Sequence, residues 1–357
     1  MKLLVVIVNY KTAEMTLESV ASALRETQHI PETKIAVVDN DSGDGSLEKL
    51  RQGKQDAGWG ESVQILASPW NGGFAWGNNY AIRAALQGQD RPEYVYLLNS
   101  DAFPDQNAVA ELVNYLDAHP KVGIAGSFIH GDDGETHKTA FRFPSLGSEL
   151  EGPLGIGIVS RLLENYIVSP DLPTSTQQVN WLAGASMLIR TQVFDEIGLM
   201  DDGYFLYYEE TDFCLRAARA GWPTAYVVES SVTHIGSVST GIQDISKPTP
   251  EFWYASRHRY FLKNYGRATL WAANALYIGA GLIRRLRSAL LRRPSHEPEG
   301  HMRGFLRFNL RLTPAPSGHP PRPANMPAAP ALQNESAASS ASPSEGDVAT
   351  ASGSAHA

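Results

Sequence analysis

The sequence predicts an α/β protein: a doubly wound, mainly parallel sheet flanked by helices, with a C-terminal helical extension. Three observations predict it. Short apolar runs alternate with segments of helical spacing between Lys2 and Val228. Most of these runs end in Asn, Asp or Gly, residues that make turns. Beyond Glu251 the pattern turns helical and rich in arginine and aromatic residues. Strands separated by helices pair in parallel, because the helix is the crossover that parallel neighbours need.

The elements follow in order. Lys2–Val8 reads as the first strand, with six consecutive apolar residues from Leu3. It lacks the small-residue cleavage site of a secretory leader. Asn9–Thr12 is the loop after it, and Glu14–Arg25 has helical spacing. Lys34–Val38 is the second strand and ends in Asp39-Asn40-Asp41-Ser42-Gly43-Asp44-Gly45-Ser46, turn chemistry throughout. Ser46 starts a helix through Leu50, and Val63–Ala67 is the third strand. Asn71–Asn79 reads as a glycine-containing loop before a helix over Tyr80–Leu86. Tyr94–Leu98 is the fourth strand and runs straight into Asn99-Ser100-Asp101.

Asn107–Leu116 reads as a helix. Val122–Phe128 and Thr139–Phe143 read as paired strands around the turn Gly131–Gly134. Residues 145–178 show no strong period and read as a long loop. Val179–Arg190 contains an apolar strand or helix, and Val193–Ile197 is a short helix. Tyr204–Tyr208 leads into Glu209-Glu210-Thr211-Asp212 and a helix to Arg219, with Asp212 as its capping or ion-pair residue toward Arg216 at i+4. Thr224–Val228 is the last strand, with His234 beyond it. Three regions result: 1–245 as the catalytic unit, 246–312 as a basic, aromatic helical extension, and 313–357 as a disordered tail. The tail is Ala/Pro/Ser-rich without an aromatic residue, so it cannot bury enough apolar surface to offset ordering entropy.

Composition narrows the chemistry. The only cysteine is Cys214, which excludes an intramolecular disulfide and any multi-cysteine zinc cluster. It fits a reducing compartment, so a cytoplasmic location is expected. The formal charge of −8 hides an asymmetry. Twelve Arg and Lys face two Glu between Arg257 and Arg311, whereas the residues before them are acidic. A basic segment on an acidic body suggests an anionic surface as its partner. The chain contains neither G-x-G-x-x-G nor G-x-x-x-x-G-K-[ST]. A nicotinamide dehydrogenase or a P-loop ATPase is therefore disfavoured. Gly72, Gly73 and Gly77 still permit close backbone approach to a diphosphate at a helix start.

In an open α/β sheet, ligands sit beyond the carboxyl ends of the strands. Asp39, Asp101 and Glu210 each follow an apolar run, and His234 follows another. Each alone reads as a turn or cap residue; together they favour one site. A metal and a single carboxylate base suffice for displacement at a carbon that bears a diphosphate leaving group.

Five motifs occur in order: Val5-Val6-Ile7-Val8-Asn9-Tyr10; Val37-Val38-Asp39-Asn40-Asp41-Ser42; Asn71-Gly72-Gly73-Phe74-Ala75-x-Gly77-Asn78; Leu97-Leu98-Asn99-Ser100-Asp101; and Tyr208-Glu209-Glu210-Thr211-Asp212-Phe213. Over roughly residues 1 to 240 they resemble family 2 glycosyltransferases of the GT-A fold, most closely the rhamnosyltransferase type. The resemblance implies an inverting transfer from a nucleotide-diphospho-sugar to a glycan or lipid-linked glycan acceptor. It implies cell-surface polysaccharide synthesis, with dTDP-rhamnose as donor. UDP-galactofuranose or a UDP-hexosamine is the alternative donor, and a non-catalytic nucleotide-sugar-binding subunit the alternative role.

By the same resemblance Asp39 reads the pyrimidine base, and Asn9, Tyr10 and Asp41 are further donor-binding residues. Asn71, Gly73, Phe74 and Asn78 lie along the nucleotide, and Asn99 also binds the donor. Asp101 binds Mg²⁺ or Mn²⁺, His234 is a further ligand, and Glu210 is the base. Two departures stand out. The usual Asp-x-Asp is Asn99-Ser100-Asp101, one carboxylate fewer. The usual Glu-Asp is Glu209-Glu210. A nucleotidyltransferase would carry a glycine-rich basic loop where this chain has Asn9-Tyr10-Lys11-Thr12. No nucleic-acid partner is expected.

Ala268–Ile283 is largely apolar, between Arg267 and Arg284-Arg285. As a helix it is about 24 Å long, short of a hydrocarbon core of roughly 30 Å. The expectation is a helix lying in the plane of the inner face of the cell membrane, arginines at the headgroups.

Overall fold

The alternation read from the sequence is realised as β1 (Leu3–Asn9), α1 (Ala13–Thr27), β2 (Thr33–Asp39), α2 (Ser46–Asp56), β3 (Val63–Ala67), α3 (Gly73–Gln87) and β4 (Tyr94–Asn99). A computed structural model of the chain describes residues 1–236, 247–292, 298–310 and Leu332. The stretch 313–357, expected to be disordered, lies outside the described residues apart from Leu332. The middle of the chain adds β5 (Ala102–Pro104), α4 (Ala108–Ala118), β6 (Ile124–His130), β7 (Ala140–Phe141), α5 (Leu146–Leu154) and α6 (Gly157–Leu162). Then come β8 (Gln177–Val179), β9 (Trp181–Leu182), β10 (Ser186–Arg190), α7 (Thr191–Ile197), α8 (Glu209–Arg219) and β11 (Thr224–His234). The extension holds α9 (Glu251–Leu290) and α10 (His301–Asn309).

Nine strands form one sheet in the order β3-β2-β1-β4-β10-β6-β11-β5, with β8 on β11. The first half is parallel, as expected: β1 pairs with β2 and β4, and β2 with β3. The second half is mixed, because β10 inserts antiparallel between β4 and β6. Both faces of β1 are buried, so alternate residues serve two cores. Leu3, Val5 and Ile7 pack with Val20 of α1, Leu50 of α2 and Leu112 of α4. Leu4 and Val6 pack with Trp76 and Tyr80 of α3, Phe194 of α7 and Phe213 of α8. A strand covered on both faces reads as an unbroken apolar run.

Several expectations are corrected. Val122–Phe128 and Thr139–Phe143 do not pair: β6 lies in the large sheet, while β7 pairs with β9 in a separate ribbon. The loop 145–178 contains α5 and α6. The last strand runs on to His234, past a register shift between Val227 and Ser231. The helix expected from Tyr80 starts at Gly73.

The extension packs on the body. α9 is interrupted at Gly266, whose φ of 84° is open to glycine and strained for other residues. Before that kink, Arg259 and Lys263 bind Asp201, and Lys263 also binds Asp212. Arg257 is buried and holds Glu149 of α5 through Nη2 at 2.6 Å and Asn274 through Nη1 at 2.7 Å. Its guanidinium also lies over the rings of Phe261, Tyr277 and Phe305. Arg257→Met would leave the Glu149 carboxylate buried without its partner. We expect a loss of about 3–5 kcal/mol, largely recovered by adding Glu149→Leu. Urea unfolding of the single and double variants checks both.

Candidate active site

Register gathers the strand ends. Asn9 lies opposite Asp39, and Val8 opposite Asn99. The carboxyl ends of β1, β2 and β4 therefore share one edge. β11 then brings His234 opposite Ala102 of β5, beside Asp101. At this edge opens a cleft of about 770 Å³. Tyr10, Asn71, Gly73, Phe74, Asn99, Asp101, Glu210 and His234 line it, eight residues that sequence reasoning assigned to a site.

His234 Nε2 lies 3.1 Å from Asp101 Oδ1 and 3.3 Å from Asn99 Nδ2. Two ligand atoms that far apart both fit one divalent ion at about 2.1 Å from each. Asp101 and His234 are thus the residues that can hold Mg²⁺ or Mn²⁺. No set of three or more His, Cys, Asp or Glu suited to a metal occurs among the described residues. An ion there would complete its shell with phosphate oxygens and water, the habit of Mg²⁺ in phosphate sites.

A second wall is built on a backbone contact. The Phe74 amide donates to the Phe205 carbonyl at 3.0 Å. Gly73 sits at φ +84°, and a Cβ there would come within 1.7 Å of that carbonyl oxygen. Only glycine permits this approach. It ties the start of α3 to the segment that leads into Glu209-Glu210. Asn40 donates through Nδ2 to Asn71 Oδ1 and to the Gly73 carbonyl, both at 3.1 Å. Its Oδ1 is buried at the cleft without a protein partner.

Glu209 and Glu210 open α8 after two consecutive left-handed residues, Tyr207 at φ 67° and Tyr208 at φ 71°. Ser256 of α9 donates to the Leu206 carbonyl at 2.9 Å, and Phe252 packs against Phe205 and Tyr207. The extension therefore shapes the turn that carries both glutamates. Glu209 is 2% exposed; Glu210 is more open to the cleft, though its Oε2 is enclosed without a partner. Burial pushes the Glu210 carboxyl up to about 7, against the backbone amides of Glu210 and Gly184. Burial and the neighbouring Glu210 charge push Glu209 well above the ordinary carboxylate range. The pair thus ionises first at Glu210. Asp212 is the fully buried ion-pair residue of this helix, with Arg216 at 2.8 Å, the spacing read from the sequence.

Four assigned residues do not line the cleft. Asn9 and Asp39 lie behind it, joined by Asn9 Nδ2 donating to Asp39 Oδ1 at 2.7 Å. Ser42 Oγ donates to the same oxygen at 2.6 Å. Asp41 is exposed with φ 57°. Asn78 is buried in α3 and spends its amide on the Phe74 carbonyl. Sequence reasoning missed Asn40, although it stands next to Asp39. It also missed Phe252 and His137, which come from distant segments without a motif. The His137 ring lies edge-on to His234 at 6.2 Å on the same wall.

The family model described as glycosyl transferase family 2 matches residues 4–198, more than half of the chain. The chain belongs to glycosyl transferase family 2. This family 2 chain is similar to an N-acetylglucosaminyl-diphospho-decaprenol L-rhamnosyltransferase of Mycobacterium tuberculosis, 29% identical over 42% of the chain and 49% of the relative. It is similar to rhamnosyltransferase WbbL of Escherichia coli, 27% identical over 45% of the chain and 60% of the relative. The low-salt glycan biosynthesis hexosyltransferase Agl10 of Haloferax volcanii is 28% identical over 60% of the chain and 61% of its own length. The matches thus span half to three fifths of these curated relatives. Among solved structures, the mannosyltransferase PcManGT from Pyrobaculum calidifontis, with GDP-Man and Mn²⁺, aligns at TM-score 0.53 and 16% identity over 82% of this chain and 76% of that one. GalNAc-T7 with UDP, GalNAc and Mn²⁺ aligns at TM-score 0.54 and 17% identity over 86% and 56%. The fold is GT-A.

Proposed function

We propose that the protein is an inverting, metal-dependent glycosyltransferase that moves rhamnose from dTDP-rhamnose to a glycan or lipid-linked glycan. Its setting is cell-surface polysaccharide synthesis at the cytoplasmic face of the membrane. The observation that carries the reading is one cleft holding two distinct groups: the Asp101–His234 pair and the half-buried Glu210. Glu210 takes the proton of the acceptor hydroxyl as that oxygen attacks the anomeric carbon. Asp101 and His234 would hold Mg²⁺ or Mn²⁺, and the ion would supply charge to offset that of a diphosphate leaving group. Asn71 and the start of α3 orient the donor, and Asn40 Oδ1 offers it an unspent acceptor. The printed names of two relatives support rhamnose. The diphospho-decaprenol in one of those names supports a lipid-linked acceptor.

The test is donor hydrolysis by the purified chain across a panel of nucleotide-sugars. We expect dTDP-rhamnose to be consumed fastest. Preference for UDP-galactofuranose or a UDP-hexosamine would replace the sugar, and hydrolysis of none would remove catalysis.

By the family resemblance Asp39, at the end of β2 behind the cleft, would accept an imide N–H of uracil or thymine. Hydrogen bonds to charged groups are worth about 1.5–3 kcal/mol. Asp39→Ala is therefore expected to weaken uridine and thymidine diphosphate binding about tenfold or more. Calorimetry with both ligands decides, and unchanged affinity for both rules out this role.

A further inference from the structure

We propose that the second half of α9, together with α6, is a docking surface for an anionic lipid bilayer. It rests on the reading above only in giving a lipid-linked acceptor a place to be met. Beyond the Gly266 kink, Leu270, Ala273, Asn274, Ala280 and Gly281 face the body and are buried. At about 100° per residue, Trp271, Leu282, Leu286 and Leu290 fall on the opposite arc, within roughly 100° of each other. They are 54–74% exposed. The stripe continues past Ile283, where the sequence alone placed its end. α6 joins it: Arg287 donates to the Gly155 carbonyl at 2.7 Å, and Ile158 and Leu162 are 73% and 80% exposed. Soluble proteins rarely expose so many large apolar side chains on adjoining elements without a partner for them.

Charge chooses the partner. No acidic residue occurs between Arg267 and Arg292, whereas Arg285, Arg287 and Arg292 flank the far end of the stripe; Arg284 turns to the body at Gly155. Arg161 stands exposed on α6. A second copy docked through the same face would bring these arginines against their equivalents, which is repulsive. An anionic bilayer takes the apolar arc into its interface and the guanidinium groups among its headgroups. Among the described residues no helix is long and apolar enough to cross a membrane.

The test is co-sedimentation of the full chain with phosphatidylcholine–phosphatidylglycerol vesicles and with phosphatidylcholine alone. We expect binding to the mixed vesicles that weakens as salt is raised. The Leu282→Ser/Leu286→Ser variant should lower partitioning about tenfold or more. Arg161→Glu/Arg292→Glu should lower it on mixed vesicles only. All four positions are exposed, so circular dichroism should stay that of the parent. Donor hydrolysis in solution should also be unchanged, which separates failure of this proposal from failure of the catalytic reading. Absence of binding by the parent, or undiminished binding by the leucine variant, overturns the proposal. So does light scattering that shows a dimer abolished by the leucine variant, because the stripe then belongs to a second copy.

Discussion

Asp101→Asn is expected to fold normally, retain little affinity for a divalent ion, and lose transfer activity by about two orders of magnitude or more. The amide matches the carboxylate in shape and still reaches His234, now 3.1 Å from Oδ1. What it loses is charge. With Asn99 where a second carboxylate often stands, Asp101 is the one acid beside His234 among the described residues that line the cleft. Charge stabilisation by a bound ion is worth several kcal/mol at the transition state, and each 1.36 kcal/mol is about tenfold in rate. His234→Asn should cost less, because it leaves the carboxylate in place. Calorimetric Mn²⁺ titration and transfer kinetics measure the two losses separately. Full activity of the parent chain in excess chelator would show that the site uses no metal.

The half of the site built on β1, β2 and β4 was legible because those strands are buried on both faces. Each is an unbroken apolar run that stops at its functional turn, so Asn9, Asp39 and Asn99 mark strand ends in one register. The Asp212–Arg216 pair was legible because it is local to one helix. Long-range pairing left no such mark. Nothing near Ser186–Arg190 announces that it lies antiparallel between β4 and β6, and nothing near Phe141 announces Trp181 as its neighbour. The start of α3 was misread because glycine and asparagine usually break helices. Here the Phe205 carbonyl demands Gly73, and Asn79 spends its amide on the Met200 carbonyl. These tertiary contacts outweigh local preference. Phe252 and Ser256 were missed for the same reason. They lie in a helix whose sequence reads as an appendage, yet their contacts hold the turn before the glutamates.

Glu210→Gln is expected to bind donor as the parent chain does and to transfer at least about a hundredfold more slowly, the lower end for lost general-base help. The sequence placed Glu210 near a helix N-terminus, where the dipole favours the charged form. The structure sets a larger effect against it: burial raises the carboxyl to about 7. A base works only when ionised, so the parent's rate should rise with pH through about 7, not through the ordinary carboxylate range. A raised value also makes the carboxylate the stronger proton acceptor once formed. Glu209 is more deeply buried and pushed higher, so it keeps its proton while Glu210 loses one. Glu209→Gln removes no ionised group at neutral pH and should slow transfer less. Its pH limb should stay near that of the parent, because Glu209 carries no charge while Glu210 ionises and burial is what raises Glu210. The Glu210→Gln variant should show no limb near 7 at all. Transfer rates of the three proteins, measured across pH at saturating donor, decide among these outcomes. An inactive Glu209→Gln beside a Glu210→Gln that turns over normally would move the base to Glu209.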